Sequence, residues 1–289
     1  MLATVLLLAG VAMTAVATAT MLATAKWPRR APAAAIVLWQ ALGLGWGLAA
    51  VGALAALAAR PEHGGVAGGV LAFAAGAVTR SAVPARQPLV LTALRLASLT
   101  MAVALLALLA RGDPKVPGAL VLDHPAAAAY CVPGLRSRIV ISAGTLDLLD
   151  QAELAAVLAH ERAHVRERHD LVLLPFTALC RAFPRSGVAL QAYQAVALLV
   201  EMLADDRARR ARPARELASA LMRFGVAGAQ APPSGALAAA HAGGQGEVVT
   251  RVARLLEPQA GLSRPLWIAI WCSAVLLVVV PAALFVIPL

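Results

Sequence analysis

A short cluster of histidine and glutamate is the part of the sequence best suited to chemistry. It consists of His160, Glu161, Arg162, Ala163 and His164. Helix residues four apart lie on one face, so both imidazoles can bind one zinc ion. Glu161 would then lie beside the open coordination position, where it can take a proton from water and pass it to a leaving amine. This spacing is typical of zinc peptidases when it falls on a helix, and it predicts Glu161 as the catalytic residue and the two histidines as metal ligands.

A catalytic zinc site needs a third protein ligand. His169, five residues after His164, does not fit the metzincin pattern, which places its histidine six residues on and requires a glycine between them. Glu201 is the better candidate, because it directly follows a long apolar segment. Asp205, one turn later, can hydrogen-bond a ligand histidine and fix its tautomer. The alternative is that Glu201 and Asp205 begin a solvated helix face, since three arginines follow closely.

The residues around this cluster predict a small α+β domain. After Asp150 the pattern is helical, and Glu153 three residues later completes a capping box. Before it, short antiparallel strands separated by proline- and glycine-containing turns are expected at residues 119–123, 127–132 and 138–142.

Two apolar stretches carry the chain from His164 towards Glu201. They cover residues 171–180 and 188–200 and are too short to span a membrane. We therefore expect a helical hairpin that rests against the membrane and brings Glu201 to the metal.

Two further features concern a substrate. A peptidase holds its substrate extended, and an exposed sheet edge supplies backbone hydrogen bonds without demanding a particular sequence. The small side chains of the second strand make it the expected edge, formed by Ala128, Ala129, Tyr130, Cys131 and Val132. The oxyanion of the transition state needs a donor near the metal, for which the sequence offers Tyr130, Tyr193 and His241 without separating them.

The rest of the chain has the composition of a membrane protein. Of its 289 residues 61% are hydrophobic and 14% charged, against about 25% charged in an average soluble domain. Stretches long enough to cross about 30 Å of hydrocarbon cover residues 2–25, 31–59, 88–110 and 265–289. The apolar residues 66–78 leave open whether a fourth span precedes the polar insert, the segment at residues 111–264. The first stretch is expected to be a span rather than a secretory signal, because no Lys or Arg precedes it.

The charges indicate an orientation. The basic loop at residues 26–30 is expected in the cytoplasm, and with three spans before it the polar insert lies there too; a fourth span would reverse this. The expected organisation is a membrane region (1–110), a catalytic domain (111–264) and a final span (265–289).

The net charge of +10 does not indicate nucleic-acid binding, since no basic run is interleaved with aromatic residues. The three cysteines show no paired spacing and indicate no disulfide framework.

The run from Gln151 to Asp170 resembles the active-site helix of BlaR/MecR-type integral-membrane metallopeptidases and, more distantly, of the HtpX and CAAX prenyl protease group. Both groups use the gluzincin pattern H-E-x-x-H followed on a later helix by E-x-x-x-D. Its counterparts here are His160, Glu161, His164, Glu201 and Asp205. Residues 129–142 resemble the paired strands of these groups, and residues 249–256 resemble their closing R-I-x-R-L-L segment. The resemblance covers roughly residues 119–256.

The order of the spans and the Arg-His-Asp-Leu sequence at 168–171 favour the BlaR/MecR type. That resemblance implies cytoplasmic cleavage of a protein, such as a transcriptional repressor. We expect no β-lactam sensing by this chain, because those sensors carry a penicillin-binding domain after the last span and the sequence ends at Leu289.

Together these features predict a zinc-dependent endopeptidase of the cell membrane. It would hold one zinc ion per chain and contact a protein or peptide substrate and the lipid bilayer, with no nucleic acid. Two alternatives stay open: a quality-control protease of the HtpX type acting on membrane proteins, and a catalytically idle membrane scaffold that keeps the zinc site. Glu161 disfavours the scaffold, because a structural zinc needs a fourth ligand rather than a base.

Overall fold

The computed structural model describes residues 2–58, 118–132, 137–227, 237–238, 245–257 and 261–286. Over these residues the chain is mostly helical with one small sheet, consistent with the predicted α+β class. In chain order the elements are α1 (Leu2–Thr24), a 3-10 helix (Trp27–Arg30), α2 (Pro32–Ala58), β1 (Leu120–Leu122), β2 (Ala129–Val132), β3 (Arg138–Ser142), α3 (Ala143–Leu148), α4 (Gln151–Arg166), α5 (His169–Ala182), α6 (Gly187–Ala211), α7 (Ala214–Ala227), β4 (Leu237–Ala238), α8 (Gln245–Leu256) and α9 (Arg264–Val286).

The helices α1, α2 and α9 pack into one apolar bundle. α2 lies against both of the others. All three are apolar around their whole circumference, as membrane spans and deeply buried helices are. Gly45 lets α2 and α9 approach closely, because a Cβ at this position would clash with the carbonyl oxygen of Leu277.

Four described helices are long and apolar enough to cross a membrane. They are Val5–Thr24, Pro32–Ala53, Gly187–Ala211 and Arg264–Leu284. The first, second and last coincide with three of the predicted spans. The predicted span at residues 88–110 and the alternative at 66–78 lie outside the described residues, so the number of spans before the catalytic domain stays a prediction.

The sheet has the strand order β1-β3-β2-β4. β2 pairs antiparallel with β3 as predicted, but β1 pairs parallel with β3. The chain between β1 and β2 forms no tight hairpin and is instead held at the end of β3. There the N–H of Ser142 donates to the carbonyl of Ala128, and the N–H of Gly144 donates to that of His124. β1 therefore pairs with β3 and not with β2, which would be its neighbour in a hairpin.

The start of α4 is fixed by the capping box that the sequence predicts. Asp150 accepts from the N–H groups of Ala152 and Glu153, and Glu153 Oε2 accepts from the N–H of Asp150. The second oxygen of Glu153 accepts from Ser219 Oγ at 2.5 Å and from Arg223 Nε at 2.9 Å. The confirmed cap therefore also ties α4 to α7.

The predicted hairpin is formed by α5 and α6, which share an apolar core with α1, α2 and α9. At its tip the ring of Phe183 makes an edge contact with Trp46 of α2. Gln40 Nε2 of α2 donates to the carbonyl of Val172 at 2.7 Å. α6 is longer than expected, at 25 residues, because the helix continues through Glu201 and Asp205. It therefore counts among the helices long enough to span, contrary to the prediction.

On the other side of α4, α7 and α8 form the last described helices of the polar insert. α7 buries an apolar face in a core that it shares with α4, formed on its side by Leu217, Leu221 and Phe224. α8 contributes Leu255 to this core and directs Arg251 and Arg254 at α6. The site residues of α4 and α6 are thus enclosed by helices on both sides.

Candidate metal centre

His160 and His164 lie on one face of α4, one turn apart. Both side chains are buried, at 0% and 1% exposure. Their Nε2 atoms are 3.0 Å apart, so the two nitrogens converge on one point in the interior. Two histidines that share a metal ion require this arrangement.

Glu201 on α6 completes a cluster of three donors. Its Oε2 lies 3.3 Å from His160 Nε2, and its Oε1 lies 3.5 Å from His164 Nε2. One ligand atom from each of the three residues lies within 4.8 Å of the others. Ligands bound tetrahedrally at about 2.0–2.1 Å from zinc are about 3.3–3.4 Å apart. The observed separations therefore fit a zinc ion with three protein ligands and one open position.

The position of Glu201 follows from the apolar half of α6. Val196, Leu199 and Val200 are buried in the core shared with α1 and α2, which holds the next turn of α6 in the interior. Glu201 and Asp205 are 2% and 1% exposed. The alternative that these carboxylates begin a solvated helix face is therefore wrong.

Asp205 lies behind His160. Its Oδ1 is 3.0 Å from His160 Nδ1, the nitrogen opposite the one that faces Glu201. A carboxylate there holds the proton on Nδ1 and leaves the lone pair on Nε2. Burial lowers the pKa of His160, but Asp205 and Glu201 outweigh it and raise this pKa to about 9. The carboxylates thus favour positive charge at this point, whether from a proton or from a metal ion.

A guanidinium from α8 joins the two carboxylates. Arg251 Nε and Nη2 donate to the two oxygens of Asp205 at 2.9 and 2.7 Å, and Nη1 lies 3.1 Å from Glu201 Oε2. Burial lowers the pKa of the Arg251 guanidinium, but the charges of Asp205 and Glu201 raise this pKa by a larger amount. The guanidinium therefore stays charged. Glu201 and Asp205 thus carry two buried negative charges against the single charge of Arg251. A metal cation would balance the remaining negative charge, which is a second observation in favour of a metal.

His169 lies behind His164. It is the first residue of α5, is 1% exposed, and places its Nδ1 3.0 Å from His164 Nδ1. It approaches the side of His164 away from the converging Nε2 atoms, so it is not part of the donor cluster. Burial and then the charges of His169, His160 and Arg251 lower the pKa of His164. A neutral imidazole is the form that binds metal.

Glu161, beside His160 on α4, is fully buried. Burial, and then the charge of Glu161, raises the pKa of the Cys131 thiol on β2 to about 12. A buried carboxylate next to a metal ligand is where a general base is needed.

The structure does not bring the two tyrosines among the predicted oxyanion donors to this cluster. Tyr193 is two turns before Glu201, about 12 Å along the axis of α6, and packs against the core of the apolar bundle. Cys131 on β2 packs towards α4, so the side chain of its neighbour Tyr130 lies on the opposite face of the sheet. Both tyrosines are therefore removed as candidates. His241 lies outside the described residues.

The prediction that residues 128–132 form an open edge strand also needs correction. β3 pairs with one side of β2, and β4 pairs with the other, with Ala238 opposite Tyr130 and Leu237 opposite Cys131. Among the described strands the outer ones are β1 and β4. The sequence gives no sign of this, because β4 comes from a much later alanine- and glycine-rich segment without a strand pattern.

Two arginines that received no role from the sequence hold α8 on α6. Arg251 binds Asp205, and Arg254, one turn later, donates to both oxygens of Asp206 at 2.9 and 2.7 Å. Arg254 Nε also donates to the carbonyl of Arg29 at 2.7 Å. The available signals were the resemblance of residues 249–256 to a closing R-I-x-R-L-L segment, two adjacent acidic residues on one helix, and two arginines one turn apart on another. They predict ion pairs only once the two helices are known to be neighbours.

Comparisons with known proteins agree with this geometry. Residues 91–230 match the model of Peptidase family M48. No curated protein and no solved structure matches the chain. The matched residues include α4 and α6, which carry the whole donor cluster. This match to Peptidase family M48 over residues 91–230 supports a zinc metallopeptidase family of the BlaR/HtpX/CAAX type.

Proposed function

We propose that the protein is a membrane-embedded, zinc-dependent endopeptidase that hydrolyses peptide bonds of a protein substrate. The observation that carries this proposal is the convergence of His160, His164 and Glu201 at separations that fit one zinc ion, with Glu161 buried beside the first of them. A structural zinc would need a fourth protein ligand, and the metal group formed by the described residues has three members.

His160, His164 and Glu201 would hold one zinc ion, which supplies a Lewis acid for a peptide carbonyl and for water. Glu161 takes a proton from the attacking water, whose oxygen bonds to the carbonyl carbon. The same carboxyl group then gives this proton to the amide nitrogen as the carbon–nitrogen bond breaks. The products are a new carboxyl group and a new amine, and Glu161 returns to its starting form.

The contact between α8 and the basic loop supports a particular location of the site relative to the membrane. Arg254 donates to the carbonyl of Arg29, which lies with Lys26 and Arg30 between the apolar helices α1 and α2. Short basic loops remain in the cytoplasm. The contact therefore supports a catalytic domain on the cytoplasmic side of a cell membrane, whatever number of spans residues 59–117 contain.

Zinc content and peptide cleavage test the proposal together. Detergent-purified wild type is expected to contain about one zinc ion per chain and to cleave casein or a quenched fluorescent peptide. Glu161→Gln should keep the zinc and lose cleavage, whereas His164→Ala should lose both. Absence of zinc from the wild type would overturn the proposal, and so would equal cleavage by wild type and Glu161→Gln.

A cytoplasmic site favours a cytoplasmic protein as substrate, such as a transcriptional repressor in a regulatory pathway. Mapping of new protein N-termini in cells that express wild type or Glu161→Gln distinguishes the substrates. New termini in a DNA-binding protein, present with wild type alone, would support regulatory proteolysis. New termini confined to membrane proteins would support a quality-control protease of the HtpX type instead.

A further inference from the structure

His169 is a buried polar residue that the metal cluster itself does not use. Its ring stands almost perpendicular to that of His164, with 4.8 Å between centroids and 87° between planes. The two Nδ1 atoms are 3.0 Å apart, within hydrogen-bonding distance. His169 is therefore a direct partner of a proposed zinc ligand.

The position of His164 fixes the direction of this hydrogen bond. Its Nε2 faces His160 and Glu201 at 3.0 and 3.5 Å, so the lone pair that binds metal must be on Nε2. The proton of a neutral His164 is then on Nδ1 and is donated to Nδ1 of His169. His169 must in turn carry its own proton on Nε2.

The Nε2 atom of His169 faces an ion pair between Glu167 and Arg207. Nε2 of His169 is buried and lies 3.6 Å from Glu167 Oε2. The other oxygen of Glu167 is bound by Nε of Arg207 on α6. The negative charge of Glu167 favours the tautomer of His169 that carries the proton on Nε2. A series of contacts therefore links a proposed ligand on α4 to α6, the helix that carries Glu201. It runs from His164 through His169 and Glu167 to Arg207.

The backbone between α4 and α5 supports the same arrangement. Arg168 adopts the left-handed conformation, with φ of 52°, and is the only non-glycine residue with positive φ in the described part of the chain. A side chain rarely adopts this conformation unless the surrounding structure demands it. The left-handed conformation of Arg168 turns the chain into α5, whose first residue is His169, and the His169 ring contacts the His164 ring.

We propose that His169 is a positioning residue for His164, and that it fixes the tautomer and ring orientation with which His164 binds zinc. This inference rests on the proposed function. The two histidine ligands are then each supported from behind, His160 by Asp205 and His164 by His169. The negative charge of Glu167, which is paired with Arg207, favours the proton of His169 on Nε2.

Zinc affinity measured by competition with a chromophoric chelator tests the proposal on the full-length protein in detergent. His169→Ala is expected to weaken zinc binding roughly 10- to 100-fold, the usual effect of removing a partner of a ligand histidine. His169→Asn places an amide oxygen near the position of Nδ1 and should recover most of the affinity. The visible spectrum of the cobalt-substituted protein should change in the alanine variant and return towards wild type in the asparagine variant.

Two controls keep the result interpretable. His124→Ala removes a histidine that is not part of the donor cluster and accepts from the N–H of Ala126, so it should leave zinc affinity unchanged. Glu167→Gln changes a partly exposed residue and tests the same series of contacts if His169→Ala does not fold. This variant should weaken zinc binding less than His169→Ala does. Wild-type affinity in both His169→Ala and Glu167→Gln would overturn the proposal, as would an alanine defect that asparagine does not repair. A wild type that binds no zinc would instead overturn the proposed function itself.

Discussion

At the residue scale the site depends on how buried charges are balanced. Asp205 and Glu201 share one guanidinium, Arg251, and all three are buried. Removing one partner of a buried ion pair leaves an uncompensated charge, which costs about 3–5 kcal/mol. A salt bridge at the surface contributes about 0–1 kcal/mol. The two kinds of arginine on this protein should therefore respond differently to the same substitution.

Arg251→Met is expected to lower the free energy of unfolding by about 3–5 kcal/mol, because both carboxylates lose their partner. The melting temperature in detergent, followed by circular dichroism, measures the effect. Arg209→Met is the matched control, since Arg209 is 40% exposed and lies 3.5 Å from Asp206, and it should melt close to wild type. Equal melting temperatures for the two variants would contradict the expected role of Arg251.

Cys131 gives a prediction about pH. Burial and the nearby charge of Glu161 raise the pKa of its thiol to about 12. A raised pKa keeps the thiol protonated, and only the thiolate is nucleophilic, so at pH 8 only about one molecule in ten thousand is reactive. Peptide mapping after iodoacetamide treatment should find Cys131 unlabelled in the folded protein at pH 8 and labelled after denaturation. Equal labelling in both states would show that the thiol is neither buried nor shifted.

At the scale of elements, the packing of α2 against α9 depends on one small residue. Gly45→Ala introduces a methyl group where the carbonyl of Leu277 already lies, and overpacking of this kind costs about 1–3 kcal/mol. Gly43→Ala, two residues earlier on the same helix, meets no atom within 4 Å. We expect the first variant to melt several degrees below wild type and the second to melt at or above it. Indistinguishable melting curves would mean that the two helices do not meet at Gly45.

The same scale explains which parts of the fold could be predicted. The capping box at Asp150 and Glu153 and the apolar stretches of α5 and α6 are local patterns, so the sequence is sufficient for them. The bond between His164 and His169 depends on a left-handed turn at Arg168, and β4 depends on pairing between distant segments. No periodicity in the sequence records either feature, because both are decided by tertiary contacts.

At the scale of the whole molecule, the proposed zinc ion would bind residues from α4 and α6, two helices that are separated in sequence by α5. A ligand that binds only the folded protein stabilises it, by about 1.4 kcal/mol for each tenfold excess over its dissociation constant. The melting temperature of the wild type should therefore rise with added zinc and fall on chelation. Glu201→Gln should respond much less, because it removes the ligand that α6 supplies. An equal rise in both proteins would place the zinc elsewhere.

The orientation of the molecule in the membrane can be tested at both ends of α1. If the loop that contains Arg29 and the catalytic domain are cytoplasmic, the start of α1 lies outside the cell. In a chain whose three cysteines are replaced by alanine, Arg209→Cys should react with a membrane-impermeant maleimide only after the cells are permeabilised. Ala3→Cys should react in intact cells. The opposite result for both positions would reverse the orientation without moving the zinc site, because Arg254 would still join the catalytic domain to the basic loop and carry it to the outer face.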